Sequence, residues 1–490
     1  MMSKVIRIMS IEASAIERSN GNYRAKAGRK FRSTYNNTIG NSLYMRQLDK
    51  VSKLHTRKSA IKTKTDGDTE IQYTTALISV SFGKQYKVET DKPYKLLTHG
   101  DKIKSQSLFE WRVEQGKRAL RFKYYNGSFT VNGIEYVRAI RSSSMSREGN
   151  CLFIRKDFAK DMETWSRMGV ALQKKVDIAS LLAYESLTLS SVKYYMTIKP
   201  HEILMIDDVI DYYTSKAHVT DIYEDDEGKP YIDAELMEEY PNRSDLFDGQ
   251  SLMDCKLFER DGTSCKLLRS RWFKSAAFAT DIQAFFRDNG IGEDDKIVDM
   301  FGNKRRAGDI LLISTPNSLK FFKMYSDKGT GLSNQFASKA DCYEYWLKKL
   351  KEEKCAFGVV KSESSSKFGN MQQGTYQLWN TLPCTYDELY EICKFDREYV
   401  YDIRSDLDKF REHIGESDIE DDWCIMDLLM ATHSDIYRTK LFREWRGRVI
   451  EHYVKNLRRG KIKMLDADSI YSDKEVVSTS ISRGWSTRLQ

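Results

Sequence analysis

The sequence has little proline, 6 residues in 490, and so no proline-rich spacers between domains. No apolar run approaches the roughly 20 residues that a membrane-spanning helix requires, so no membrane partner is expected. The opening stretch, MMSKVIRIMSIEASAIERSN, lacks the long apolar core of a secretory signal. The 8 cysteines are scattered, none in a Cys-x-x-Cys pair, and the 7 histidines do not cluster with them. That spacing argues against a zinc site and suits reduced thiols in a cytoplasm. Three catalytic signatures are missing: Gly-x-x-x-x-Gly-Lys-Ser/Thr, Gly-x-Ser-x-Gly and His-Glu-x-x-His.

What is present is a polar, globular composition, 40% hydrophobic and 31% charged, long enough for two to four domains. The net charge of +8 is unevenly placed. Residues 1–65 hold 15 Lys and Arg against Glu12, Glu17 and Asp49, or 15 − 3 = +12, which leaves 8 − 12 = −4 for the rest. This reads either as a basic arm that meets a polyanion or as a solvated, partly disordered segment.

Residues 66–140 read as a β-rich domain, with strands from Thr74 and two Asn-Gly pairs, at 126–127 and 132–133, as hairpin turns. Residues 141–239 read as an α+β linker domain with a short apolar strand at Cys151 to Ile154 and a helix ending near Gly169. Eleven acids between Asp221 and Asp248 face only Lys229 and Arg243 and mostly fall in an exposed turn. From residue 331 the chain is expected to be mainly helical. Ser338 caps one helix, and Thr385 and Glu388 have capping-box spacing. A long helix near 434–459 sets Leu441, Trp445, Val449, Tyr453 and Leu457 against a face of cations, either an ordinary amphipathic helix or a basic binding face.

Residues 240–330 concentrate the chemistry. A carboxylate-rich turn at Asp245, Asp248 and Gly249 precedes a basic, aromatic strip, Arg269, Arg271, Trp272, Phe273 and Lys274. An apolar run at Ile310 to Ile313 then leads into a segment carrying Lys320 and Lys323. Cations among aromatics suit a surface that holds a phosphate backbone and stacks bases; solvated edges of an α/β core are the plainer reading.

The order of segments resembles the eukaryotic RNA-silencing RNA-dependent RNA polymerases and their single-chain phage and bacterial relatives. The stretches are Y-V-R-A-I-R-S-S-S-M-S-R (136–147), F-D-G-Q-S-L-M-D (247–254), L-L-R-S-R-W-F-K (267–274) and N-S-L-K-F-F-K-M (317–324), followed by T-Y-Q-L-W-N-T-L-P (375–383). The resemblance covers about 130–380. It implies an α+β fold with a double-psi-β-barrel-like unit at 240–330. Arg269, Arg271, Lys274, Lys320 and Lys323 would then contact nucleic acid or nucleoside triphosphates. It also implies Mg²⁺, if the chain is active, held by an Asp-x-Asp-x-Asp loop, a triad that clamps two ions for nucleotidyl transfer. This sequence contains no such triad; the nearest stretch offers Asp466 and Asp468, with Ile470 in the third place. The expectation is therefore a polymerase-like nucleotidyltransferase fold whose triad lies on a second polypeptide or is missing. The alternative is a non-enzymatic nucleic-acid-binding protein of a phage or mobile element.

Overall fold

The computed structural model describes residues 5–25, 30–66, 69–82, 95–99, 102–106, 119–142, 144–145, 149–174, 176–226, 230–245, 247–259, 262–327, 329–362, 371–374, 385–415, 429–430, 432–433 and 435–465. The described residues fall into two compact units, the first ending at Ser362 and the second beyond it.

The first sheet of the first unit is built from β1 (Val5–Glu12), β2 (Asn22–Tyr23), β3 (Asn37–Gly40), β4 (Ile61–Asp66) and β5 (Thr69–Ser81). After a separate hairpin, β6 (Lys95–His99) and β7 (Lys102–Gln106), it continues with β8 (Ser128–Val131), β9 (Ile134–Arg138) and β10 (Asn150–Arg155). The strand order is β2-β8-β9-β10-β5-β1-β3, with β4 paired to β5. Both faces are buried. Leu152 and Ile154 of β10 join one core and Cys151 and Phe153 the other, which the two-residue period of a strand requires. The helices Leu43–Thr56 and Lys156–Ser166 pack on the first face through Leu48, Val51, Phe158 and Met162.

Two expectations are corrected here. The partly disordered basic arm at 1–65 is instead part of this sheet. β1 pairs with β5 in parallel and with β3 in antiparallel fashion, and its isoleucines enter both cores. Of the segment's cations, Lys62 and Lys64 are exposed on β4, where charge discourages pairing with another chain. The first Asn-Gly pair is also not a hairpin. Residues 119–126 are helical, because Leu120 and Tyr124, four apart, bury one helical face. Asn132-Gly133 does turn β8 into β9, both residues at positive φ.

The second sheet uses β11 (Tyr194–Thr197) and β12 (Ile203–Met205). The chain then leaves it as a long hairpin of β13 (Ile210–Glu224) and β14 (Pro230–Asp245); residues 227–229 of the expected acidic turn lie outside the described residues. It returns with β15 (Gln250–Asp254), β16 (Cys265–Ser270) and β17 (Phe273–Thr280). A small pair, β18 (Lys296–Val298) and β19 (Lys304–Arg306), precedes β20 (Leu312–Ser314) and β21 (Ala356–Ser362). The order is β11-β21-β16-β17-β15-β20-β12. β15 runs parallel to β17 and β12 to β20, and the other pairings are antiparallel.

The expected boundaries at 240 and 330 cut through this sheet. β12 comes from before the first and β21 from after the second, and each covers strands that residues 240–330 would leave unpaired. The helix Lys339–Glu352, capped by Ser338, closes one face with Tyr343, Trp346 and Leu350. The mainly helical region therefore begins after Ser362, not at residue 331.

That second unit contains the helices Tyr386–Ile392, Lys394–Ser405, Leu407–Gly415 and Lys440–Leu457, and the pair β22 (Met371–Gln373) and β23 (Lys463–Leu465). The expected capping box at Thr385 and Glu388 is formed. In the long helix Phe442 rather than Leu441 faces the core, beside Trp445, Val449 and Ile450.

Candidate phosphate-binding site

The strip read as one basic strand is a hairpin. Arg269 pairs with Lys274 and Ser270 with Phe273, which leaves Arg271 and Trp272 as the two turn residues, Trp272 at φ 58°. Strict alternation, which would have set Lys274 with Trp272 and opposite Arg271, therefore fails at the turn.

The consequences divide the five predicted cations. Arg271 is buried. Its guanidinium donates to Trp165 O at 3.0 Å and to Lys349 O at 3.2 Å, and it stands over the Trp165 ring at 5.2 Å. Burial pushes its pKa down, and Glu353, at 3.8 Å, offsets part of that. Arg271 ties the hairpin to two helices and is not available to a nucleic acid, contrary to the sequence expectation. Arg269, directly across from Lys274, starts on the same sheet face. It is largely buried, donates to Leu268 O at 2.8 Å, and its Nε has no partner among the described residues. Burial lowers its pKa to about 10.

Lys274, Lys320 and Lys323 share one electrostatic neighbourhood. An isolated bridge between Phe273 and Leu319 joins the start of β17 to the segment that carries the other two lysines. The turns Pro316–Ser318 and Lys320–Met324 are short 3₁₀ segments, and Phe321, Phe322 and Met324 anchor the second in the core. Anchoring those three turns Lys323 to solvent, while Lys320 is half-buried and donates to Asn317 O. Burial pushes the Lys320 pKa down first; Asp248 opposes this, and the fields of Lys274 and Lys323 push it down further. Among the described residues, none of the three lysines has a carboxylate within ion-pair distance.

The acidic turn completes the rim. Gly249 has φ 85°, and a Cβ there would lie 3.7 Å from Asn317 O and 3.8 Å from Lys274 O. Three segments thus meet where only a glycine backbone is comfortable. Beneath them Ser251 Oγ lies 2.7 Å from both Ser275 Oγ and Ser314 Oγ, and Ser275 Oγ donates to Gly249 O at 2.9 Å. These buried hydroxyls bond β17, β15 and β20 to one another under the turn.

Beside the lysines, Asn317 Nδ2 donates to Asp208 Oδ2 at 3.0 Å and to Asp245 Oδ2 at 3.2 Å, while Asp208 Oδ1 accepts from Phe247 N at 3.1 Å. Burial raises the Asp208 pKa, the Phe247 and Asn317 hydrogen bonds oppose it, and Asp245 raises it further. Sequence reasoning placed Asp245 in the turn but passed over Asp208 and Asn317, and no spacing signal links residues so far apart.

Two carboxylates held by one amide are not a two-ion clamp. No group of three or more His, Cys, Asp or Glu able to hold a metal occurs among the described residues. Asp466 and Asp468 lie outside the described residues. The described residues therefore do not fit the Mg²⁺ site that the resemblance implies. No helix among the described residues is long and apolar enough to cross a membrane.

No family model matches the sequence, and no curated protein matches it. Among solved structures the chain is similar to the RNA-dependent RNA polymerase QDE-1 from Thielavia terrestris, at 10% identity and a TM-score of 0.35 over 82% of this chain. It spans 41% of that polymerase's length.

Proposed function

We propose that this chain is an RNA-polymerase-like protein whose lysine cluster holds the phosphates of a nucleoside triphosphate or of a nucleic-acid strand. What supports the reading is that Lys274, from β17, and Lys323 both act electrostatically on Lys320, with a Phe273–Leu319 bridge joining β17 to the segment that carries Lys320 and Lys323. The ammoniums of Lys274 and Lys323 act unfavourably on that of Lys320, and a bound anion relieves this repulsion. A triphosphate supplies that charge. The order of sequence segments makes the phosphate that of a polymerase substrate or strand. Nucleotidyl transfer needs a carboxylate triad, which this sequence lacks, so a second polypeptide would supply it. That lack also favours the second reading, a non-enzymatic nucleic-acid-binding protein that uses the same cluster.

Calorimetric titration with a nucleoside triphosphate tests this. One charge-assisted contact contributes about 1.5–3 kcal/mol, so Lys320→Ala is expected to weaken binding about tenfold or more, while the exposed Lys348→Ala leaves it unchanged. A bound phosphate raises the depressed Lys320 pKa. Binding should then take up protons in the alkaline window between the free and bound values, and affinity should fall as pH rises through it. Equal affinity for Lys320→Ala and the parent chain would remove the site. Purified alone, the chain is expected not to incorporate nucleotides.

A further inference from the structure

The second unit carries a separate basic groove of about 490 Å³ along the helix Lys440–Leu457. Arg443, Gly447 and Arg458 line it from that helix, and Arg404 from the helix Lys394–Ser405. From Arg443 to Arg458 the stripe runs about 22 Å along the helix axis.

The cations differ in what they already do. Arg446 is committed to the fold. Its guanidinium donates to Ile403 O at 2.7 and 3.2 Å and to Asp406 O at 3.1 Å, and it stands over the Phe410 ring. Lys455 pairs with Glu451 at 2.9 Å. Among the described residues, no carboxylate lies within ion-pair distance of Arg404, Arg443 or Arg458. The one acid that lines the groove among the described residues, Glu451, is thus already engaged.

Gly447 is the second observation. It sits inside the helix, where glycine is among the least favourable residues. An added Cβ there would meet nothing within 4 Å. Packing within the described residues therefore does not require a glycine. Its absent side chain leaves an open floor between Arg443 and Arg458, where an outside backbone can approach the helix closely.

We propose that this groove docks the phosphodiester backbone of a nucleic-acid strand, independently of the lysine cluster in the first unit. Guanidiniums suit phosphate oxygens because their planar forks donate two parallel hydrogen bonds. Among the described residues no aromatic ring lines the groove, so binding reads the backbone and not the bases.

The test uses the full chain and a fluorescein-labelled single-stranded oligonucleotide of mixed sequence, with anisotropy read over a salt series. Triphosphate titration in parallel keeps the two sites distinguishable. Arg443→Ala/Arg458→Ala is expected to weaken oligonucleotide binding about tenfold or more at low salt. It should also flatten the slope of log K against log salt by about 1.4, since each lost phosphate contact removes about 0.7 on a single strand. Triphosphate affinity should not change. Gly447→Leu is expected to fold normally and to lose oligonucleotide affinity, because its side chain fills the floor. An unchanged slope in the double variant, or full affinity in Gly447→Leu, overturns the proposal. So does displacement of the oligonucleotide by an acidic peptide as readily as by unlabelled strand.

Discussion

Deletion of residues 1–65 is expected to abolish folding of the first unit, a far larger effect than loss of a basic tail would produce. The deleted segment contains β1, which lies between β5 and β3, together with β4 and the helix Leu43–Thr56. Ile6, Ile8, Ile11, Leu43, Tyr44, Met45, Leu48 and Val51 are all buried. Burying an apolar side chain contributes about 1.5–3 kcal/mol, so their combined loss matches or exceeds the whole stability of a domain, about 5–15 kcal/mol. β5 would also become an edge strand with a row of unpaired backbone groups, a template for aggregation. Soluble yield and the cooperativity of thermal unfolding measure the outcome. A truncated chain that still melts cooperatively near the parent temperature would mean the basic segment is peripheral after all.

Arg271→Ala and Lys274→Ala, three residues apart, are expected to fail in opposite ways. Arg271→Ala removes the guanidinium donors to Trp165 O and Lys349 O, each of which keeps a backbone N–H donor, and empties the space over the Trp165 ring. The lost charged hydrogen bonds and the lost ring contact together cost about 3 kcal/mol. The melting temperature should fall by several degrees, and triphosphate affinity, measured below the transition, should be unchanged. Lys274 is exposed on β17. Lys274→Ala should leave the melting temperature within about a degree, as surface changes commonly do, and should weaken triphosphate binding. Parallel losses of stability and affinity in both variants would show that the two residues do not have the separate roles assigned to them.

That pair also shows what the sequence could reveal. The α+β class, β10, the caps at Ser338 and Thr385, and the Asn132-Gly133 turn are legible because each rests on local chemistry. The residues that approach one another at Lys320 are legible only in part. Cations among aromatics pointed to Lys274, Lys320 and Lys323, but composition cannot separate them from Arg271. That separation depends on a turn at Arg271-Trp272 that lacks the usual glycine or asparagine and is held by Trp272 Nε1 donating to Ser166 O at 2.8 Å, a tertiary contact. The same limit explains the basic segment at 1–65. Its charge count suggested a tail, whereas alternate burial of β1 on two faces depends on partners far along the chain. Asp208 and Asn317, 109 positions apart, are brought together by the sheet, with no local pattern to announce them.

Lysine labelling by a nucleotide acyl phosphate tests the phosphate site most directly. In such a probe the acyl group sits on the terminal phosphate and transfers to an amine held beside it. A phosphate-binding cluster predicts acylation at Lys274, Lys320 or Lys323, mapped by peptide mass spectrometry and suppressed by excess unmodified nucleoside triphosphate. Labelling spread over exposed lysines such as Lys348 and Lys440, with none at the cluster and no suppression by triphosphate, would contradict it.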